Sequence, residues 1–282
     1  MTTLVVGASG NVGAALVQIL AVQGEPVRAA MRSISAARLP SGATATRLDF
    51  ADPASFKPAL AGVDRLFLMR PPAIADTKRY LNPFIDAARS AGVERVVFLS
   101  LQGAARNPLV PHHQVERYLM QLDLGWTFLR AGFFMQNLST THCAEIRDQS
   151  EIIIPAGRGR TSFIDVRDIA AVAALALCEV GHTRRAYTLT GSAALGYAEV
   201  AELLSAALGR PIAYRSPSIL RFMRIWRARG AAPNYILVLL AIYLTALLGL
   251  AATIAPDSGE LLGRPPITMR QFIDDYRAVW LP

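Results

Sequence analysis

The chain has 282 residues, 52% of them apolar and 18% charged, and a net charge of +8. That is enough apolar mass for one large α/β domain, or for a core domain with a smaller lobe, and it excludes a disordered chain. The basic balance suits a polyanionic cofactor, and with no Lys/Arg tract interleaved with aromatics, nucleic acid is not expected as a partner.

Thr3 to Val6 is a short apolar run and reads as a buried parallel strand. Gly7-Ala8-Ser9-Gly10-Asn11-Val12-Gly13 follows, spaced G-x-x-G-x-x-G, and opens an alanine-rich helix that runs to Gln23. The glycines have separable jobs. Gly7 permits the tight turn off the strand, Gly10 lets a pyrophosphate approach the backbone, and Gly13 lets the helix pack close on the sheet. The unpaired N–H groups and positive dipole end of the helix make the turn an anion site.

Pro26 to Arg32 reads as the second strand, and its end decides the cofactor. An acid there takes the ribose 2′-hydroxyl of NAD, whereas an arginine accepts the 2′-phosphate of NADP. No Asp or Glu lies between Pro26 and Arg47, so Arg32 is the expected partner, with Ser33 as helper and Arg38 as a third contact. Thr44 to Phe50 is a third strand. Asp52 reads as an N-cap, with Pro53 at the first helical position. Asp64 to Arg70 is a fourth strand, stopped by Pro71-Pro72, which puts a loop where ligands sit in open α/β sheets. A helical pattern runs from Ala73 to Ala91 and closes at Gly92. Glu94 to Ser100 is a fifth strand with Ser100 at its carboxyl end. Strands and helices thus alternate five times in the first hundred residues, which predicts a parallel, doubly wound sheet.

Val110 to Leu122 reads as a helix carrying His112, His113, Glu116 and Arg117. Gly125 to Arg130 is a sixth strand, leading into Ala131 to Asn137. Beyond it the alternation loosens. A short strand at 152–155 precedes a loop at 157–160, and Asp165 caps an alanine-rich helix. Tyr187 to Thr190 is a strand, and Tyr197 to Leu208 is an amphipathic helix ended by Gly209. The expected organisation is a cofactor-binding core over 1–155, completed by 160–180, and a smaller substrate or partner lobe over 181–282.

Tyr235 to Ala255 carries no charge. It is long enough to cross a bilayer, and Arg221, Arg224, Arg227 and Arg229 precede it as on a cytoplasmic flank. It also reads as a buried helix broken near Gly249, in the lobe or at a dimer interface, or as an interfacial contact. It occurs once, inside an otherwise soluble pattern, so membrane contact is not the expectation. Thr268 to Tyr276 looks like an amphipathic surface helix. Cys143 and Cys178 are the only cysteines, with neither a C-x-x-C pair nor metal spacing. No metal is expected, and a reducing, cytoplasmic compartment is the simpler reading. The chain enters its first strand with no basic region or cleavage site before it.

Four stretches together resemble the NmrA-like members of the atypical short-chain dehydrogenase/reductases. They are Gly7 to Gly13, Thr127 to Asn137 (T-F-L-R-A-G-F-F-M-Q-N), Phe163 to Ala170 (F-I-D-V-R-D-I-A), and Leu262 to Pro266 with Gln271-Phe272. The resemblance implies a Rossmann-like doubly wound parallel sheet and a smaller C-terminal lobe, with substrate between them. It implies NADP(H) held by Gly7, Ser9, Gly10, Asn11, Val12 and Arg32. Asp49, Phe50, Met69, Arg70 and Pro71 would line the adenosine side, and Ser100, Gly132 and Phe133 would approach the nicotinamide.

One departure bears on catalysis. The Tyr-x-x-x-Lys pair usual in short-chain dehydrogenases is absent; Tyr118 is followed four residues later by Leu122. In its place stands His112-His113-Gln114-Val115-Glu116. His112 and Glu116 share a helix face, and a carboxylate there could raise the imidazole pKa and make it a usable acid near neutrality. The pair also reads as an ordinary surface pair. Ser100 reads as a donor to a substrate carbonyl, or as a strand-end serine bonding its own turn. The expected activity is an NADPH-dependent oxidoreductase acting on a small apolar quinone, conjugated carbonyl or imine. The alternative is a catalytically silent NADP(H) sensor that binds a partner protein, and a homodimer is possible on either reading.

Overall fold

A computed structural model describes residues 1–34 and 39–281. Arg38 lies outside the described residues. The elements run in chain order as β1 (Thr3–Val6), α1 (Asn11–Val22), β2 (Val27–Met31), β3 (Ala43–Arg47), α2 (Phe56–Leu60) and β4 (Arg65–Met69). Next come α3 (Thr77–Tyr80), α4 (Asn82–Ser90), β5 (Arg95–Leu101), α5 (Pro111–Met120), β6 (Gly125–Ala131) and β7 (Phe133–Phe134). Then follow α6 (Cys143–Gln149), β8 (Glu151–Ile153), β9 (Arg160–Ile164), α7 (Val166–Cys178), β10 (Arg185–Leu189) and β11 (Ala194–Gly196). The last are α8 (Tyr197–Leu208), β12 (Ala213–Arg215), α9 (Ile219–Ala228), α10 (Pro233–Leu247), α11 (Asp257–Leu262) and α12 (Met269–Tyr276).

The chain packs as two units: 1–131 with 166–189 and 260–262, and 132–165 with 190–259 and 263–282. The first boundary thus falls after Ala131, earlier than the 155 expected from the sequence, and β10 packs with the first unit.

In the first unit seven strands form one sheet in the order β10-β6-β5-β4-β1-β2-β3, every pairing parallel. The alternating residues explain why both faces are covered. Leu4, Val6, Leu66, Leu68, Val96, Phe98 and Phe128 pack with Phe56, Phe84, Ile85, Val115 and Leu119 of α2, α4 and α5. Val5, Phe67 and Val97 are equally buried on the opposite face, where α1 and α7 lie. Strands buried on both sides read as continuous apolar runs, which is how these were legible. The chain leaves β1 toward β2 and β3, then crosses back to β4, so the strand order reverses between β1 and β4.

One local expectation needs correcting. The pattern from Ala73 to Ala91 is two helices, because Pro83 in the first turn of α4 lacks an N–H and ends α3 before it. Asp76 caps α3, accepting from Arg79 N at 3.0 Å. Asp52 does cap, accepting from Ala54 N at 3.2 Å, and Pro53 opens a 3-10 turn before α2.

The second unit holds the sheet β11-β9-β7 and the pair β12-β8. Its core is aromatic: Phe163 lies edge-on to Phe133 and Tyr197, with ring centroids at 5.6 and 5.5 Å. α8 ends at Gly209 in the left-handed region, as the sequence indicates. Tyr235 to Ala255 is not one helix. α10 has 15 residues, about 22 Å against a hydrocarbon layer of roughly 30 Å, and the chain turns at Gly249 with φ +74°. Among the described residues no helix is long and apolar enough to cross a membrane.

A polar network lies inside this core. His142 Nδ1 donates to Glu145 Oε1 at 2.6 Å, and His142 Nε2 is hydrogen-bonded with the Tyr243 hydroxyl. Arg229 Nη1 donates to Glu145 Oε2 at 2.6 Å and Ile153 N to Oε1 at 3.2 Å. Burial pushes the Glu145 carboxyl up, but the bonds from His142, Arg229 and Ile153 outweigh it and hold it below its ordinary value. A lowered carboxyl contributes stability above its unfolded value, and that contribution is lost as pH falls through the folded one. Glu145→Gln should therefore cost about 2 kcal/mol at pH 7, and its deficit against the parent should shrink as pH drops below the ordinary carboxylate range. Urea unfolding at pH 7 and pH 4 checks this.

Candidate functional site

The site is built at the carboxyl ends of β1, β2, β4, β5 and β6, all in the first unit. At the first of these, Gly7 adopts φ +71°, which turns the chain off the strand. The space beside its Cα is filled by Met69 at the end of β4: a Cβ on Gly7 would stand 3.0 Å from Met69 Cγ. Gly13 lies flat against the turn. A Cβ there would stand 2.7 Å from the Gly7 carbonyl carbon and 3.0 Å from Ala8 Cα, both immovable backbone. Gly10 has only the Gly7 carbonyl oxygen near it, 3.3 Å from a built Cβ. Ser9, Gly10 and Asn11 are exposed, whereas Val12 and Gly13 are buried. No side chain caps α1 and no acid stands in its first turn, so its leading N–H groups and positive end face outward. Gly7 makes the turn that its spacing predicts, whereas Gly13 packs against the backbone of the turn itself and not, as its spacing suggested, on the sheet.

Arg32 and Ser33 follow β2 directly and are exposed. Because β2 is paired in parallel with β1, Val6 opposite Ala30, they stand at the same end of the sheet as the glycine turn. The residues after β3 are engaged otherwise than the sequence suggests. Phe50 is 7% exposed and packs edge-on against Phe84 at 5.3 Å, so its ring belongs to the core and offers no face to a ligand. Asp49 accepts from Ala51 N at 2.9 Å, closing its own turn. Arg70 is turned onto the loop that Pro71-Pro72 creates: its Nη1 donates to the carbonyls of Pro71, Pro72 and Ile74 at 3.0, 3.2 and 2.5 Å. It holds that loop, and burial lowers its pKa.

The expected acid is overturned by its surroundings. Glu116 does not serve His112. It is 2% exposed and fully occupied: Ser100 Oγ donates to Oε1 at 2.6 Å, Arg130 Nε to Oε1 at 3.1 Å, and Arg130 Nη2 to Oε2 at 2.7 Å. Ser100 therefore gives its hydroxyl hydrogen to Glu116 and bonds neither its own turn nor, as donor, a second acceptor. His112 stacks obliquely on Phe98 at 6.0 Å, with Nδ1 buried and unpartnered. Burial, then the nearby Arg70 charge, pushes its pKa down to about 3, so the imidazole is neutral at any ordinary pH. His113 Nδ1 donates to the Ala104 carbonyl at 2.9 Å and anchors the preceding loop. Gly132 and Phe133 belong to the second unit, where the Phe133 ring packs against Phe163 and Tyr243 at 5.6 and 5.9 Å.

A histidine held neutral has a stability signature. The unfolded chain takes up a proton near pH 6.5 while the folded one does not, so stability should fall as pH drops from 6.5 toward 3. His112→Phe keeps the contact with Phe98 and should flatten that slope, which thermal midpoints at pH 7, 5.5 and 4.5 would show.

The cluster that sequence reasoning missed is Glu116–Arg130. Its signal was present: an acid on the inward face of α5 and an arginine ending β6. A buried carboxylate needs a cation, and the pairing is bidentate. The opposite end of the sheet carries a cavity of about 240 Å³ beside Arg65, Arg95 and Cys178. Its arginines are committed: Arg65 bonds Glu25 at 2.9 Å, and Arg95 Nη1 bonds the Leu177 and Glu179 carbonyls at 2.8 and 2.5 Å, closing the end of α7.

The NmrA-like family model matches residues 1–243. The NAD(P)H azoreductase of Xenophilus azovorans is 34% identical, covering 98% of each chain. Quinone oxidoreductase 2 of Escherichia coli (strain K12) is 27% identical over 80% of this chain and 81% of its own. The structure of Citrobacter sp. triphenylmethane reductase complexed with NADP(H) superposes with a TM-score of 0.84 at 22% identity, covering 98% of this chain and all of that one, which shows a shared fold.

Proposed function

This chain belongs to the NmrA-like family, and from that premise we propose that it passes hydride from NADPH to a small apolar quinone, conjugated carbonyl or imine. It is an NAD(P)H-dependent oxidoreductase. The observation that carries the reading is the β1–α1 turn: an uncapped helix start beside exposed Ser9, Gly10 and Asn11, at the point where the strand order reverses. These residues suit a pyrophosphate, with Gly7 and Val12 completing the turn. Exposed Arg32 and Ser33 suit a 2′-phosphate, and Met69 and Pro71 flank the adenosine side.

When bound, the cofactor supplies the hydride. The protein's part is to position it and exclude water. Ser100 gives its hydroxyl hydrogen to Glu116 and so has only an acceptor left to offer, and neutral His112 cannot act as an imidazolium acid. A quinone needs little acid from the protein, which is why this acceptor class fits a chain without Tyr-x-x-x-Lys. A panel of quinones, enones, imines and azo dyes, scored by NADPH consumption, tests the proposal. Silence on all of them with NADPH demonstrably bound favours the sensor reading, to which the missing tyrosine also points.

Arg32→Glu should raise the NADPH dissociation constant by roughly 10- to 100-fold, the loss of a charge-assisted pair, and leave NADH within a factor of about 3. Fluorescence titration with both cofactors checks it. An unmoved preference would remove the NADP assignment.

A further inference from the structure

We propose that the α9–α10 hairpin is a docking surface for an anionic lipid membrane, with α10 lying in the plane of the interface. α10 is apolar on two sides. Ile236, Leu239, Leu240, Tyr243 and Ala246 are buried in the second unit's core. The other face is also apolar but open to solvent: Leu237 is 59% exposed, and Val238, Ala241 and Ile242 share that face at helical spacing. Leu248 and Leu250 extend it past the helix end, 69% and 67% exposed. Scattered apolar residues need no explanation, but a continuous stripe does, and α9 adds exposed Ile219 and Leu220 at its start.

The charge around it chooses the occupant. Residues 203–256 contain Arg210, Arg215, Arg221, Arg224, Arg227 and Arg229 and no acid at all. Three of these are committed within the unit: Arg210 to Ser150, Arg215 to Glu151 and Arg229 to Glu145. Arg221, Arg224 and Arg227 remain exposed on α9. The two helices are held together by Trp226 against Tyr235, ring centroids 5.9 Å apart, and Tyr235 at the start of α10 is half-exposed. Leucines flanked by arginines and an amphipathic tyrosine suit the boundary between acyl chains and phosphates. An isologous dimer would set this patch against itself, arginines facing arginines with no acid to answer them. A bilayer of anionic lipid answers them, and α10 is too short to cross it.

Flotation of the full chain with phosphatidylcholine vesicles, and with vesicles containing one quarter phosphatidylglycerol, tests the proposal. Binding is expected to the anionic vesicles only, and to fall in 0.5 M NaCl. Arg221→Glu/Arg224→Glu/Arg227→Glu should weaken it on the order of 100-fold. Leu237→Ser/Ile242→Ser should weaken it at least tenfold with charge unchanged. All these positions are exposed, so thermal midpoints should match the parent and separate lost binding from lost folding. Equal binding to neutral vesicles, no binding at all, or indifference to the leucine and isoleucine changes would each overturn the proposal. So would a dimer by sedimentation equilibrium that the Leu237→Ser/Ile242→Ser variant converts to monomer.

Discussion

Glu116→Ala should destabilise the protein by about 3 kcal/mol, the larger part of what removing one partner of a buried pair costs. Arg130 keeps 22% of its side chain exposed, so water softens the loss below the upper end of that range. Three donor atoms lose their acceptor at once: Ser100 Oγ, Arg130 Nε and Arg130 Nη2. Glu116→Gln retains one acceptor oxygen but turns an NH₂ toward the guanidinium, and should cost about 2 kcal/mol. Ser100→Ala removes a single donor and should cost about 1 kcal/mol. The prediction is that order of cost, Glu116→Ala above Glu116→Gln above Ser100→Ala, read from urea midpoints at constant m-value. The double change Glu116→Leu/Arg130→Met removes both charges together and should be milder than Glu116→Ala alone. If Ser100→Ala proves as costly as Glu116→Ala, the cluster is not organised around its carboxylate.

The parallel sheet was readable because its central strands β1, β4 and β5 are buried on both faces, and β1 and β4 run into Gly7 and Pro71, so periodicity and punctuation agreed. Gly7, Asp52 and the Tyr197–Leu208 helix were readable for a similar reason: each follows from local backbone chemistry. What could not be read depended on which distant group a side chain finds. Helical spacing put Glu116 beside His112, but the ends of β5 and β6 bring it Ser100 and Arg130, whose charge and hydrogen bonds outweigh a neutral ring. Phe50 follows a strand as a ligand-facing residue would, yet Phe84 on α4 claims its ring. The second unit was least legible. β9 is only five residues long and begins at Arg160, where the sequence reads as a loop. α9 was hidden by its arginines, which the uncharged run after it made look like a membrane flank.

Gly13→Ala and Gly10→Ala should separate folding from cofactor binding, though each adds one methyl to the same turn. At Gly13 the new Cβ meets the Gly7 carbonyl carbon at 2.7 Å and Ala8 Cα at 3.0 Å. Backbone cannot rotate aside, so α1 must move off the turn. That overpacking should cost about 2–3 kcal/mol, and NADPH affinity should fall with it because the leading N–H groups move too. At Gly10 the built Cβ is 3.3 Å from one carbonyl oxygen, a shift of a few tenths of an ångström. Stability should change by less than about 1 kcal/mol, while a methyl now stands where a pyrophosphate has to approach the backbone, and NADPH affinity should drop on the order of 10-fold or more. Thermal unfolding and NADPH titration of the two variants side by side decide it. A Gly10→Ala protein that binds NADPH as the parent does would mean that the phosphates do not rest on this turn, and that the helix start merely packs against its own loop.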